Sequence, residues 1–266
     1  MIDARVRSWA AWSAGREDAD AWRRWCADPG PLGRSGHPEA RFLPPLIRRR
    51  CSPLARIALT AAFACCGEEE RARCTSVFAS RHGNINESVD LLERLALRQP
   101  LSPTAFSHTV HNAQAGLFSL AAANAHGSSS IAAQADTFGS AWVEALALLD
   151  REPASPALLV IADVPLESAF AGLVDEAEAA YGVALLLAAA GAGEPVGFAV
   201  EPAAGPAAQP RWPDAVEFLR WWLSDERELR LGEGPRRFAW RKRAGLAAGA
   251  GFSAASPSSA GTGATC

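Results

Sequence analysis

The stretch that decides the fold class is SSSIAAQADTFGSAWVEA, residues 128–145. Ser129–Ala133 is typical of a short strand, and Thr137–Leu149 has the apolar spacing of a buried helix. A tight turn lies between them. In such a strand–turn–helix unit the turn residue lies at the positive end of the helix dipole, where a thiolate or an oxyanion is favoured. The stretch therefore predicts an α/β fold that presents its turn as a candidate reactive site.

Strands and helices alternate on both sides of this stretch. Further strands are predicted at Val6–Trp12, Cys74–Ser80, Ala157–Val164, Tyr181–Ala188 and Val196–Val200. Further helices are predicted between Ser52 as cap and Gly67 as terminator, at Asn86–Leu97, at Asn112–Asn124, and from a capping-box-like Asp214 and Glu217 to Leu223. Ser102-Pro103 predicts a turn. Asn112–Asn124 is apolar nearly all round, which predicts a helix sandwiched inside the fold. The alternation predicts a mixed or mostly parallel sheet with helices on both faces.

Composition excludes several functional classes. The chain has 266 residues, is 49% hydrophobic and carries a formal net charge of −3, which argues against a nucleic-acid binder. Its longest uncharged apolar stretch, Ala179–Gly193, is shorter than the ~18 residues that a membrane span requires. The charged start of the chain does not resemble a signal peptide. We therefore expect a cytoplasmic protein without a membrane span. Lys242 is its single lysine, so Schiff-base chemistry has one candidate, near the end of the chain.

The cysteines and histidines do not predict a metal site. No C-x-x-C pair exists among the six cysteines, and Cys65 and Cys66 are adjacent. We therefore expect buried, reduced thiols rather than disulfides or a zinc site. His108 and His111 are close enough in sequence to share a metal ion, but no third ligand is evident, and hydrogen-bonded loop histidines are the more frequent case. The sequence predicts neither a metal nor a cofactor.

Three motifs, in their order and spacing, resemble those of β-ketoacyl synthases. Residues 128–145 resemble the nucleophile elbow of that family, T-x-x-x-A-C-x-[ST]-G-x-x-A-x-x-[DE]-A. Ser102-Pro103, followed by HNAQAG at 111–116, is similar to the family's S-P … N-x-x-A-G stretch. Arg48–Ala64 is similar to its helix R-x-S-x-x-x-[RK]-x-A-L-x-A-A. The resemblance covers residues 1 to about 200 and implies a truncated thiolase-like α/β fold with a mixed sheet.

The sequence departs from that family at its catalytic positions. Read without a gap, the position of the reactive cysteine is Ala135, and a one-residue shift makes it Gln134; neither side chain can form an acyl thioester. The family also requires histidines after the elbow, whereas the last histidine here is His126. We therefore predict no catalytic residue and a vacant nucleophile position. Gln134 is expected to keep the vacant site in shape, or to aid malonyl decarboxylation weakly.

A ketosynthase-like chain without ketosynthase chemistry resembles the chain-length factors of type II polyketide systems. Its short form is most similar to the ketosynthase-like N-terminal-domain proteins of aryl-polyene clusters. The resemblance implies a non-catalytic subunit that pairs with an active ketosynthase and works with an acyl carrier protein. Ser129–Ala133 would pair across the dimer axis. The tunnel and interface candidates are Phe106, His108, Val110, His111, Asn112, Ile131 and Phe138.

Domain organisation follows from the same interpretation, and two other functions remain open. Residues 1–200 are the predicted ketosynthase-like domain, 201–243 a helix and basic strand that close it, and 244–266 a disordered Ala/Gly/Ser tail.

One alternative function is a serine acyltransferase or thioester hydrolase using Ser128–Ser130, although no G-x-S-x-G turn is present. The other is a carrier-protein binding module. A basic end could attract such an acidic partner, although it is more often simply solvated. The residues of this basic end are Arg236, Arg237, Arg241 and Arg243.

Overall fold

The computed structural model describes residues 1–167, 170, 174, 177–203, 205, 211–232 and 235–243. Within these ranges eight strands form one sheet in the order β3-β2-β4-β5-β1-β6-β8-β7. Strand β2 pairs in parallel with β3 and β4, and the other neighbours pair antiparallel. The strands are β1 Ile2–Ser13, β2 Thr75–Ala79, β3 Ser128–Ile131, β4 Ala157–Asp163, β5 Tyr181–Ala188, β6 Glu194–Pro202, β7 Glu228–Leu231 and β8 Arg236–Lys242.

Helices cover both faces of this mixed sheet, which confirms the predicted α/β fold class. They are α1 Ala19–Ala27, α2 Pro45–Arg48, α3 Pro53–Cys65, α4 Glu68–Arg73, α5 Ile85–Ala96, α6 Pro103–His108, α7 Ala113–Ala122, α8 Thr137–Arg151 and α9 Asp214–Trp222. One apolar core lies under α1, α8 and α9, around Trp22, Trp142 and Trp240. The other lies under α3 and α7, around Ile57 and Phe118. None of the helices among the described residues is long and apolar enough to cross a membrane.

Helix α3 begins as predicted but ends differently. Ser52 Oγ accepts a hydrogen bond from the Ala55 amide at 3.1 Å, and Pro53 occupies the first turn. The helix ends at Cys65. Gly67 does not terminate it through a left-handed backbone, because its φ is −69°; it is instead the N-cap residue of α4, a short helix that we did not predict. Glu70 accepts a hydrogen bond from the Gly67 amide at 3.1 Å, so the apparent stop is the start of the next helix.

Helices α6 and α7 also differ from the prediction. Ser102 and Pro103 do not form a simple turn, because Ser102 caps α6 and Pro103 is its first residue. Helix α7 is not sandwiched: Leu117 and Phe118 are buried, whereas Gly116 is exposed and Leu120 is 65% exposed. Because small apolar residues occupy all sides of α7, its sequence does not indicate which side is buried. The outer face of α7 is therefore an exposed apolar surface in this chain.

The C-terminal elements extend the same sheet. Strand β8 pairs with β6, and β7 pairs with β8. The residue before α9 is Pro213 rather than a capping Asp214. Because proline has no amide hydrogen, Glu217 accepts hydrogen bonds from the amides of Arg211 and Trp212, at 3.0 and 3.3 Å. The predicted linker Pro202–Pro213 lies partly outside the described residues, and the predicted tail 244–266 lies entirely outside them.

Candidate functional site

The turn between β3 and α8 lies at the edge of the sheet where the parallel strands β2, β3 and β4 end. A single 3₁₀ turn, Gln134–Asp136, joins the strand to the helix. Thr137 holds this turn from the first residue of α8, because its Oγ1 accepts from the Ala133 amide at 2.9 Å and donates to the Gln134 carbonyl at 2.7 Å. The carboxyl edge of parallel strands is where α/β proteins place their sites.

The backbone of the turn is unusual at one position. Gln134 has a φ of +52°, in the left-handed region that non-glycine residues adopt infrequently, and its side chain is exposed. Sharp strand-to-helix turns that present a nucleophile hold a strained residue in this way. The side chains available here are the amide of Gln134, the methyl group of Ala135 and the carboxylate of Asp136. None of the three can carry an acyl group as a thioester.

The thiols of the chain lie elsewhere. All five described cysteines are free, and four of them are buried. Burial raises the pKa of Cys26 to about 11 and that of Cys65 and Cys74 to about 12, and it also raises the pKa of Cys51 and Cys66. Because the thiolate is the nucleophilic form, these are inert core thiols. The prediction of buried, unbridged cysteines is confirmed for Cys51, Cys65, Cys66 and Cys74, whereas Cys26 is unbridged but only half-buried. Cys266 lies outside the described residues.

A cavity of about 230 Å³ opens beside the turn, on the face that α3 and α7 cover. The ends of β2 and β4 form its floor, and the loop Ser80–Asn84 and the start of α7 form its sides. Of the predicted tunnel residues, Val110 and His111 line it, and Ala132 connects it to the turn.

One carboxylate, which sequence reasoning missed, holds the loop at this cavity. Asp163 ends β4 and is 6% exposed. It accepts hydrogen bonds from Ser80 Oγ at 2.6 Å and from the amides of Arg81 and His82 at 3.1 and 3.2 Å. Burial raises the pKa of Asp163, and these donors oppose that shift. A charged residue closing the apolar run ALLVIA was the signal that could have revealed it.

A second polar contact fixes the loop between α6 and α7. Asn84 accepts a hydrogen bond from Ser52 Oγ at 3.0 Å and donates from Nδ2 to the His108 carbonyl at 2.6 Å. The His108 ring is half-buried, and its Nε2 has no hydrogen-bond partner. No three His, Cys, Asp or Glu side chains come together as metal ligands in the part of the chain that the structure describes.

The remaining tunnel and interface candidates are not brought together in this chain. Phe106 is 65% exposed, and Asn112 is exposed at the start of α7. Ile131 is half-buried against the core under α8. Phe138 is 2% exposed, and its ring stacks on Trp240 with 5.2 Å between centroids. Because its first-turn position on α8 faces the sheet, the assignment of Phe138 to a tunnel or interface does not fit this chain.

The serine alternative lacks the histidine base that most serine nucleophiles use, in the contacts of the described residues. Ser129 Oγ donates to Glu144 Oε1 at 2.6 Å, and the buried Ser130 Oγ has no partner. A serine nucleophile requires a general base within hydrogen-bond distance, most often a histidine. The hydrogen bond between Ser129 and Glu144 instead attaches strand β3 to helix α8.

The arginines of the basic C-terminal end, which the sequence suggested as a carrier-protein contact, are mostly paired with carboxylates. In the basic end, Arg241 pairs with Glu201 and Glu228, Arg243 pairs with Asp3, and Arg236 lies 3.7 Å from Asp136. By contrast, Arg48, Arg49 and Arg50 form no ion pair with any described residue. Three consecutive arginines without an ion pair therefore lie at the end of α2, in the same segment as the exposed Phe42 and Leu46.

Comparisons with known proteins agree with this geometry. The family model described as "Beta-ketoacyl synthase, N-terminal domain" matches residues 22–241. No curated protein sequence matches the chain. A chain of the complex between the ketosynthase ApeO and its chain length factor ApeC, from Xenorhabdus doucetiae, is 25% identical with a TM-score of 0.78. That alignment covers 91% of this chain and 100% of the other.

Two more distant structures share the fold. The ishigamide ketosynthase/chain length factor is 13% identical, with a TM-score of 0.59 over 76% of this chain and 68% of its own. A chain of AntDE:AntF, a type II polyketide acyl carrier protein in complex with its ketosynthase, is 10% identical with a TM-score of 0.67. This match covers 91% of the present chain and 100% of the other.

Proposed function

Since this chain belongs to the β-ketoacyl synthase N-terminal domain family, we propose that it is a non-catalytic ketosynthase-like subunit of the chain-length-factor type. It pairs with an active β-ketoacyl synthase in polyketide- or aryl-polyene-type chain elongation. The partner supplies the reactive cysteine and the histidines, and this chain supplies part of the wall that surrounds the growing acyl chain.

The composition of the β3–α8 turn is the observation that carries this proposal. The turn keeps the strained geometry of a nucleophile elbow, with φ at +52° for Gln134, but offers no thiol at Gln134 or Ala135. The five described cysteines are held protonated in or beside the core by burial. Chain elongation by this family proceeds through a thioester, so a chain with this turn requires another subunit to carry it.

Similarity in length supports the pairing. The alignment with the ApeO–ApeC complex covers the whole of the matched chain, so that chain and this one are of similar length. The solved complex contains a ketosynthase together with a chain length factor. An assembly of the same kind is what the proposal assigns to this protein.

The open edge of the sheet at β3 offers the surface for pairing. The sheet ends at β3 on one side and at β7 on the other. Strand β7 carries Glu228 and Arg230, which form ion pairs, and charges of this kind protect a sheet edge. Strand β3, with the sequence SSSI, carries no charge. An uncharged, open strand edge is suited to pairing with a strand of another subunit.

Exposed apolar side chains are also concentrated on helices α5, α6 and α7. Seven of the thirteen large hydrophobic side chains that are exposed among the described residues lie on α5, α6, α7 and their connections: Leu92, Leu95, Leu97, Leu101, Phe106, Val110 and Leu120. Helix α7 contacts β3. A surface of this character is typical of a subunit interface. Phe106 and Val110 lie on it, where they could reach the acyl pocket of the partner.

Co-expression with an active ketosynthase tests the proposal. We expect a stable 1:1 complex that elongates acyl chains on carrier protein, whereas this chain alone has no such activity. Gln134→Ala and Ala135→Ser should leave elongation by the complex within about twofold, because neither residue touches the reacting carbon. Replacement of the partner's reactive cysteine should abolish it. Elongation by the isolated chain, or loss of turnover in Gln134→Ala with the complex intact, would contradict a non-catalytic role.

Carrier-protein contact is proposed at the arginines without an ion pair at the end of α2, rather than at the basic C-terminal end. Arg49 and Arg50 are exposed and form no ion pair, whereas Arg241 and Arg243 already contact carboxylates. Free positive charge next to exposed apolar side chains suits an acidic partner. Arg49→Glu/Arg50→Glu should weaken carrier-protein binding to the complex at least tenfold at low salt, and Arg237→Glu should not. Equal loss in both variants would overturn this location.

A further inference from the structure

We propose that Asn84 is a positioning residue of the proposed complex. Its side-chain amide holds the connection between α6 and α7 in place, and that connection limits the length of the acyl chain that the complex makes. The inference rests on the proposed function, because it assigns a role in chain elongation to a contact within this chain. Asn84 acts through the segment that it holds and does not itself touch the acyl chain.

The segment between α5 and α7 has no anchor in the core. No residue from 92 to 113 is buried, although all of them are described. Leu91 of α5 and Gln114 of α7 are the buried residues on either side of this segment, and α6 lies inside it without a buried side chain. Burial of apolar side chains is what normally fixes a helix against the rest of a protein. The position of this segment therefore depends largely on polar contacts.

One hydrogen bond links the α6–α7 connection to the body of the described structure. Asn84 Nδ2 donates to the His108 carbonyl at 2.6 Å. The other hydrogen bonds of residues 102–111, among those that the described residues form, stay within the segment or lead to α7. Thr109 Oγ1 donates to the Phe106 carbonyl at 2.9 Å, and the first amide of α7 donates to the Val110 carbonyl at 3.1 Å. Loss of the Asn84 contact would therefore release the connection from the body.

Asn84 is itself held firmly, as a tether must be. It is only 7% exposed, and its Oδ1 accepts from Ser52 Oγ, at the N-cap of α3, at 3.0 Å. The loop before it is wrapped around the carboxylate of Asp163, which accepts from Ser80 Oγ and from the next two backbone amides. The tether thus runs from α3 and β4, which both pack in the core, to the α6–α7 connection.

Two large apolar side chains move with the tethered carbonyl. Phe106 and Val110 lie two residues to either side of His108 and are 65% and 43% exposed. In the proposed complex these side chains face the growing acyl chain. A wall that supporting hydrogen bonds hold in place distinguishes between chain lengths more sharply than one that moves. Release of the connection should therefore allow longer chains to form.

The chain offers a matched control for Asn84. Asn84→Asp removes the donor but keeps the shape of the side chain and the acceptor for Ser52, and Asn84→Ala is the second variant, since a buried charge could unfold the chain. Asn86 makes the same pair of contacts with a different segment. Its Nδ2 donates to the Pro165 carbonyl at 3.0 Å, and its Oδ1 accepts from the Glu167 amide at 3.1 Å. Asn86→Asp is therefore the control.

Hydrogen exchange of the purified full-length chain tests the tether. In peptides that cover residues 102–112, the amides should exchange at least about threefold faster in both Asn84 variants than in the parent, because local opening becomes easier. In Asn86→Asp these amides should exchange at the rate of the parent. Parent rates in both Asn84 variants would overturn the proposal.

The products of the complex with an active ketosynthase test the role of the tether. Both Asn84 variants should shift the most abundant product by at least one elongation step toward longer chains, whereas Asn86→Asp should give the products of the parent. A variant that merely lowered stability would reduce the amount of complex and leave the product length unchanged.

Two failures are distinguishable. Unshifted product lengths in the Asn84 variants, or the same shift in Asn86→Asp, would overturn the role of Asn84 while the proposed function stands. A parent complex that makes no elongated product would refute the proposed function, and the role of Asn84 in elongation with it.

Discussion

Cys65 and Cys74 lie in the core under α3, where burial raises the pKa of both thiols to about 12. An unfolded thiol loses its proton near pH 9, so between these two values the native state holds a proton that the unfolded state has released. Stability therefore falls as the pH rises above about 9. The same shift keeps the native thiols in the unreactive form at neutral pH.

Alkylation rates measure this protection directly. In a Cys266→Ser variant, which removes the cysteine outside the described residues, iodoacetamide at pH 8 should modify the native core thiols at least a hundredfold more slowly than the same thiols in urea. Mass spectrometry of the digested protein assigns each site. Cys26, which is only half-buried, serves as the internal comparison and should react first. A native Cys65 that reacts as fast as in urea would contradict its position in the core.

At the scale of single residues, the sequence predicts the site only in part. The missing cysteine at Gln134 and Ala135 is visible in the sequence, because side-chain chemistry does not depend on the fold. The role of Asp163 is not, because its donors Ser80, Arg81 and His82 are some eighty residues away in the chain.

At the scale of elements, strand β3 permits a sharp test of pairing. The Gly127 carbonyl accepts from the amide of Ser76 in β2 at 3.1 Å, and the Ile131 carbonyl accepts from the amide of Ser80, directly after β2, at 3.2 Å. Backbone groups alternate along a strand, so the Ser129 amide points to β2 and the Ser130 amide points to the open edge. Ile131 packs against the core, so a charged residue there would disturb the fold as well as the interface.

Two proline variants separate these effects. Ser130→Pro removes an amide that faces the open edge, so the chain should stay folded while the complex with the ketosynthase is lost. Ser129→Pro removes an amide that faces β2 and should destabilise the chain itself by about 2–3 kcal/mol. Circular dichroism melting and size-exclusion chromatography of the co-expressed proteins distinguish the two outcomes. Complex formation by Ser130→Pro at the affinity of the parent would exclude β3 as the pairing edge.

The elements that the sequence predicts well are those with a strong local signal. Ser52 and Pro53 mark the start of α3 because a cap and a first-turn proline act within a few residues. The six-residue helix α4 escapes prediction because so short a helix has no apolar period. The exposed face of α7 escapes it because alanine and glycine suit the interior and the surface equally.

At the scale of the whole molecule, the C-terminal elements are packed into the main core. A Cβ atom added to Gly139 on α8 would lie 2.3 Å from the Phe238 ring of β8. Phe238 and Trp240 of β8 share the core with Phe138 and Trp142 of α8. The predicted division at residue 200 thus separates segments of the chain that bury one another.

Paired glycine-to-alanine variants measure this coupling. Gly139→Ala should destabilise the protein by about 1–3 kcal/mol or more, because the new methyl group forces β8 away from α8. Gly116→Ala on α7, where nothing lies within 4 Å of the added atom, should stabilise it by about 0.5–1 kcal/mol through helix propensity. Urea unfolding gives both values. A neutral Gly139→Ala would mean that residues 201–243 contribute little to the fold.

The bare edge of β3 also has a consequence for the cell that makes this protein. An edge strand that carries no charged side chain leaves its backbone amides and carbonyls open to pairing with any extended polypeptide. Copies synthesised in excess of their companion would polymerise through that edge and be lost to aggregation or proteolysis. The quantity of functional protein would then be set by matched synthesis of the two chains, as genes read from one transcript provide.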